Sequence, residues 1–207
     1  MIVLAHRGHW LRPEERNTRA ALARAVEGGH GLETDIRDHG GALVVAHDPP
    51  TGDGLMTLDE LLDLYVSGGA PGALALNIKA DGLQAGVVEA VRRRGIGNAF
   101  VFDMSLPDTL GYLRQGARVF TRQSEHEPEP LLYEPAAGVW IDAFERDWIT
   151  PEVVEGHLAA GKQAALVSPE LHGRPHAAAW AAWRSLAGRA GVMICTDFPD
   201  EARTFFQ

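Results

Sequence analysis

Eight short apolar runs, at 2–5, 31–37, 73–78, 99–102, 118–120, 138–141, 163–167 and 192–195, pass through this 207-residue chain. Seven of them are followed by a stretch with helical spacing, and the fifth by a Pro-rich connection through Glu125 to Pro130. Parallel strands are buried on both faces by the helices between them, so they read as continuous apolar runs. Strict strand–helix alternation therefore predicts an α/β parallel sheet. Eight units predict a (β/α)8 TIM barrel, a single domain over 1–207 at the small end for that fold. An open doubly wound sheet would want a Gly-rich phosphate loop after its first strand. His6-Arg7-Gly8-His9-Trp10 stands there instead. Gly40-Gly41 turns the second strand into a hairpin arm at 42–46, and only Pro49 to Gly54 and a Thr57-capped helix form the short insertion that follows.

Each run also stops at polar residues on its C-terminal side: His6 and Arg7, Glu33 and Asp35, Asn77 and Lys79, Asp103, Thr121 and Arg122, Asp142, Ser168, and Thr196 with Asp197. In a barrel these ends converge on one rim, where barrel active sites lie. Glu33 and Asp35 point the same way from one strand, roughly 6–7 Å apart at Cα. Two adjacent acids repel unless a positive group sits between them, and a divalent cation with oxygen ligands is the simplest one. A solvated acidic edge strand is the competing reading of that pair alone, and the series of strand ends argues against it. His6 and His47 are the candidate proton movers, because imidazole exchanges a proton near neutral pH. Arg7, a planar fork, and Lys79, a point charge, suit phosphate oxygens. An ion pair is the structural alternative for each. No cysteine lies near them, and His6 and His9 lack the one-residue spacing of a zinc pair, so a hard ion fits better than zinc.

The formal net charge of -9 argues against a duplex nucleic-acid partner. A small anionic substrate is compatible with it, because a local cationic pocket can sit in an acidic protein. Cys195, the only cysteine, rules out an internal disulfide. The first apolar run is too short for a signal peptide, and no stretch approaches the ~20 apolar residues of a membrane helix. A cytoplasmic protein without stable membrane insertion is expected; the sequence leaves no mark of oligomeric state.

Ala5-His6-Arg7-Gly8, Pro13-Glu14-Glu15-Arg16-Asn17-Thr18, Glu33-Thr34-Asp35 and His47-Asp48-Pro49 follow one another in the first fifty residues. Together they resemble the glycerophosphodiester phosphodiesterase signature, within the wider phosphatidylinositol-specific phospholipase C-like superfamily. Asn77-Ile78-Lys79 is similar to that family's Glu-x-Lys, and Thr196-Asp197-Phe198-Pro199 to its Thr-Asp-x-Pro. The resemblance implies a barrel that cleaves small phosphodiesters with two histidines and one divalent cation, Mg²⁺ or Ca²⁺. Carried over by position, His6 and His47 are the acid–base pair, with His6 assigned as base. Glu33, Asp35 and Asn77 become metal ligands, Arg7 and Lys79 phosphate binders, and Glu14 or Glu15 supports. Two departures stand out. Asn77 replaces a carboxylate, a loss for which Asp81 or Asp103 could compensate, and Glu15-Arg16 lengthens the first loop. Trp10, Arg122, Trp140, Asp142 and Asp197 are candidate substrate contacts at the rim. The attacker is water or a hydroxyl of the substrate, the latter giving a cyclic phosphate as in sphingomyelinase D or phospholipase C enzymes. A carboxylate-pair glycosidase and a non-catalytic phospho-ligand-binding barrel are the rivals.

Overall fold

The computed structural model describes residues 1–207. Its strands are β1 (Ile2–His6), β2 (Gly31–His39), β3 (Ala42–Val45), β4 (Leu74–Ile78), β5 (Ala99–Phe102), β6 (Phe120–Gln123), β7 (Gly138–Ile141), β8 (Gln163–Val167) and β9 (Val192–Thr196). The helices are α1 (Arg19–Glu27), α2 (Leu58–Ser67), α3 (Gln84–Arg93), α4 (Leu106–Arg114), α5 (Pro151–Ala159), α6 (Ala177–Trp183) and α7 (Pro199–Phe205). Eight strands lie parallel in the order β5-β4-β2-β1-β9-β8-β7-β6, and β3 pairs antiparallel with β2 as the expected hairpin arm. A single bridge, Val101 to Val119, joins the ends of that order, with the Val101 amide donating to the Arg118 carbonyl at 2.9 Å. The (β/α)8 barrel anticipated from the alternation is therefore present and nearly closed.

Strand side chains alternate between the lumen and the helical coat. The lumen is filled by Leu4, Ala73, Ala75, Phe100, Phe102, Phe120, Trp140, Ala165, Val167, Met193 and Cys195. The filling is lopsided, with aromatic residues on β5 to β7 flanked by small ones on β4 and β8. Phe100 stacks on Phe120 with centroids 3.8 Å apart, and Phe102 stacks on Trp140 at 3.9 Å. Gly138 makes this layer fit, since a Cβ there would stand 2.5 Å from the Phe120 ring. The odd-face partners of these residues, such as Ala5, Leu32, Ile36 and Leu76 on one side and Val139, Ile141, Leu166 and Ile194 on the other, pack under the helices.

Local signals set most helix starts. Thr57 and Glu60 form a reciprocal capping box on α2, and Ser105 caps α4. α6 passes directly into a tighter turn, Arg184–Leu186. The sixth strand runs later than its apolar residues suggest, because its register is set by β7: Arg122 pairs with Trp140 and Gln123 with Ile141. The Pro-rich connection after it carries no helix. No helix is long and apolar enough to cross a membrane.

Candidate active site

Continuing the lumen alternation by two residues carries β1 from Leu4 to His6, β4 from Ala75 to Asn77, β6 from Phe120 to Arg122, β7 from Trp140 to Asp142 and β9 from Cys195 to Asp197. Glu33 and Asp35 sit on the same face of β2, and Asp35 is in register with Asn77. The aromatic layer below thus forms the floor of a polar mouth.

His6 is the best-held residue of that mouth. Its Nδ1 lies 2.6 Å from Asp197 Oδ1, and its Nε2 lies 3.9 Å from Glu33 Oε2. An ionised carboxylate can only accept, so Asp197 fixes the proton on Nδ1 and leaves the Nε2 lone pair facing the mouth. Asp197 is held in turn by Arg16, at 3.1 Å, and its amide donates to Glu170 Oε1 at 3.1 Å. Glu170 also accepts from the hydroxyls of Ser168 and Thr196, so it ties the ends of β8 and β9 together. Asp197 is therefore a partner of His6 and not a free substrate contact, a correction to the sequence reading. Arg16, which looked like a loop insertion, is the cation that neutralises it, and its guanidinium stacks on Trp10 at 4.4 Å. Trp10 donates through Nε1 to the His6 carbonyl at 3.2 Å and roofs this side.

Asp35 is fully buried and bracketed by cations, with Arg7 Nε at 3.1 Å from Oδ2 and Lys79 Nζ at 3.4 Å from Oδ1. Asn17 donates to Oδ2 at 2.8 Å and accepts from Thr34 Oγ1 at 2.8 Å. Asn17 thus buttresses the site, while Thr18 caps α1. Arg7 has φ 57° and Gly8 φ +88°. A Cβ on Gly8 would fall 2.6 Å from the Ala21 backbone, so only glycine lets the chain leave β1 this tightly and lay Arg7 across the mouth. Apart from Nε, Arg7 makes no side-chain bond to the protein, which leaves its terminal nitrogens available.

Glu33 has no cation in contact. It accepts from the Arg7 amide at 3.3 Å. Burial first, and the neighbouring Asp35 charge second, push its pKa up to about 7. Asn77 turns its Nδ2 toward Asp103, at 3.4 Å, and its Oδ1 is buried without a partner. A buried acceptor left unsatisfied is costly, and two buried carboxylates beside it want positive charge. An all-oxygen donor set of Glu33, Asp35 and the Asn77 carbonyl fits a hard divalent ion. Asp103 stands next to Asn77 and pairs with Arg122 at 3.0 Å, whereas Asp81 is bonded to Ser105 away from the mouth.

The opposite wall is bonded mainly to its own loops. Arg122 also pairs with Glu127, and Asp142 accepts from His172 Nε2 at 2.6 Å. His172 and Glu170, both in the turn after β8, carried no sequence signal because nothing in their spacing marks them. Trp140 lies below the rim, 4% exposed and stacked on Phe102, so it is lumen packing and not a stacking surface for substrate. Thr121, Ser168 and Thr196, polar strand ends all, are taken up by structural bonds. His47 stands apart, 43% exposed on the loop after β3. It bonds to Asp48 at 2.9 Å, and its carbonyl accepts from Arg37 at 2.8 Å.

No family model matches the chain, and no curated protein matches its sequence. Solved structures do match. Its barrel is similar to those of glycerophosphodiester phosphodiesterases. The enzyme from Agrobacterium tumefaciens superposes with a TM-score of 0.73 at 20% identity, covering 99% of each chain. A glycerophosphodiester phosphodiesterase candidate from Galdieria sulphuraria gives 0.76 at 16% identity, covering 99% of this chain and 97% of that one. An Oleispira antarctica phosphodiesterase, solved with the product sn-glycerol-3-phosphate, gives 0.69 at 18% identity over 99% and 96%. At such identities the likeness lies in the fold, from the first strand to the last.

Proposed function

We propose that the chain, as one domain over 1–207, is a metal-dependent phosphodiesterase that hydrolyses a glycerophosphodiester or a similar small phosphodiester. The observation that carries this reading is the buried arrangement around Glu33: a histidine with its tautomer fixed by Asp197, a bracketed Asp35, and an orphaned amide oxygen at Asn77. The barrel shared with phosphodiesterases supports it.

Arg7 and Lys79 bind the non-bridging phosphate oxygens and stabilise the charge that grows on them during displacement. His6 Nε2 takes the proton of the attacking hydroxyl. His47, from its exposed loop, gives a proton to the leaving alcohol. Glu33, Asp35 and Asn77 would hold a divalent ion, Mg²⁺ or Ca²⁺, which would supply further charge neutralisation at phosphorus. Arg122 and Asp142, on the wall opposite His6, and Trp10, above His6, contact the leaving alcohol. A carboxylate-pair glycosidase would leave His6 and its Asp197 partner without a task.

A panel of phosphodiesters incubated with Mg²⁺, Ca²⁺ or Mn²⁺ and followed by phosphorus NMR tests the reading. Linear monoester from glycerophosphodiesters, abolished by a chelator, is expected. A cyclic phosphate product would reassign the attacker to a substrate hydroxyl. Absence of turnover on every diester, bis(p-nitrophenyl) phosphate included, would leave only a binding barrel.

A further inference from the structure

We propose that His9, His30 and Asp200 form a second metal site, for a Zn²⁺-class ion, separate from the oxygen-lined mouth. Their donor atoms all lie within 4.8 Å of one another. His30 Nε2 is 2.9 Å from Asp200 Oδ1, and His9 Nε2 is 3.9 Å from Asp200 Oδ2. The two imidazoles meet edge to face with centroids 6.1 Å apart. Two imidazoles and a carboxylate suit zinc and its first-row neighbours, while the mouth offers only oxygen to a hard ion. None of the three bonds to His6, Glu33, Asp35 or Asn77.

His30 is 2% exposed, so its imidazole is presented to the cluster from a fixed, buried position. On metal binding, the His30 proton moves from Nε2 to Nδ1, so Nε2 becomes the ligand with no net proton loss. Arg203 keeps Asp200 Oδ1, at 2.7 Å, and the metal takes Oδ2. The nearby guanidinium weakens the ion's hold without blocking it. The cluster joins three segments distant in sequence: the loop after β1, the turn before β2 and the first turn of α7. His9 follows His6 by three residues, and Asp200 follows Asp197 by three, so an ion there fastens both ends of the His6–Asp197 pair from outside the mouth.

The test is titration of the full-length protein with Zn²⁺ and Co²⁺ in excess Mg²⁺, read by calorimetry, by Co²⁺ visible absorption and by thermal unfolding. One Zn²⁺ per chain is expected at the site, with a rise in Tm and a low-symmetry Co²⁺ band. His9→Gln and Asp200→Asn should each weaken binding by about 10-fold or more and remove the band, with phosphodiester turnover retained. Should Asp200→Asn fail to fold, imidazole ¹⁵N NMR of the wild type replaces it, with Zn²⁺ expected to shift His9 and His30 Nε2. Zn²⁺ or Co²⁺ binding that is absent, unchanged in His9→Gln, or silent at those nitrogens overturns the proposal.

Discussion

Two of the molecule's histidine–aspartate pairs, His6 with Asp197 and His47 with Asp48, are built on opposite principles. His6 and Asp197 are 191 residues apart, touch at 2.6 Å, and have side chains 13% and 7% exposed. His47 and Asp48 are neighbours in sequence, touch at 2.9 Å, and are 43% and 90% exposed. The first pair exists because β1 and β9 lie side by side in the barrel, with Ala5 in register with Thr196. It is then locked by Arg16, Glu170 and the Trp10 roof. The second pair needs nothing but a turn. A buried pair with its geometry fixed from several sides is preorganised for one proton position, which is what a general base requires. An exposed pair on a loop can move toward a leaving group and exchange its proton with water, which suits the acid.

The largest expected effects test whether both pairs take part in chemistry. His6→Ala and His47→Ala should each lower kcat by ~10²–10⁴-fold on the diester that the panel identifies. Thermal unfolding separates them. His6→Ala strands Asp197 in a buried site with only Arg16 and should lower Tm, whereas His47→Ala, at an exposed position, should leave Tm within experimental scatter. Near-normal turnover in His47→Ala would break the comparison by leaving the exposed pair without a catalytic task.

A smaller effect sharpens it by probing the aspartates. Asp197→Asn can donate where the carboxylate only accepts, and so presents the wrong partner to His6 Nδ1. A fall in kcat of about 10²-fold is expected, with KM little changed, because the residue acts through His6 and not on substrate. Asp48→Asn should stay within about threefold, since an exposed ion pair contributes little. Steady-state kinetics over a range of pH checks both. Equal losses in the two variants would mean that burial does not distinguish the pairs.

This contrast also explains what was legible in the sequence. The eight runs and their polar ends carried the barrel, because burial on two faces leaves a compositional trace in each strand separately. Glu33 with Asp35, His6, Arg7, Lys79 and His47 were visible as residue types at strand ends and as local motifs. Partnerships that depend on barrel closure left no such trace. Asp197 read as a substrate contact, Arg16 as an insertion and Asn17 only as part of a motif, and only the juxtaposition of β9, β1 and β2 reveals what each one holds. Trp140 failed for the reverse reason, since a strand-end tryptophan gives no sign of the depth at which it sits. Glu170 serves through three bonds to residues at other strand ends, a role without a motif.

The subtlest prediction concerns Glu33, the carboxylate nearest to the buried pair and without a counterpart at the exposed one. Its pKa of about 7, against an ordinary 4.5, means that the folded protein keeps this proton over a range where the unfolded chain has released it. Between those two values the native state binds more protons than the unfolded state, so stability falls as pH rises and levels off above about 7. Divalent-ion binding runs the opposite way. Below about 7 the ion must displace the Glu33 proton, and affinity should rise by up to ~10-fold per pH unit toward neutrality. Tm recorded from pH ~5 to ~8 in chelator should therefore decline in the wild type and less so in Glu33→Gln. Added Mg²⁺ or Ca²⁺ should reverse the wild-type decline and leave the variant unmoved. Parallel curves for the two proteins, with and without the ion, would remove Glu33 from the metal site and leave the His6 pair facing a carboxylate of purely structural purpose.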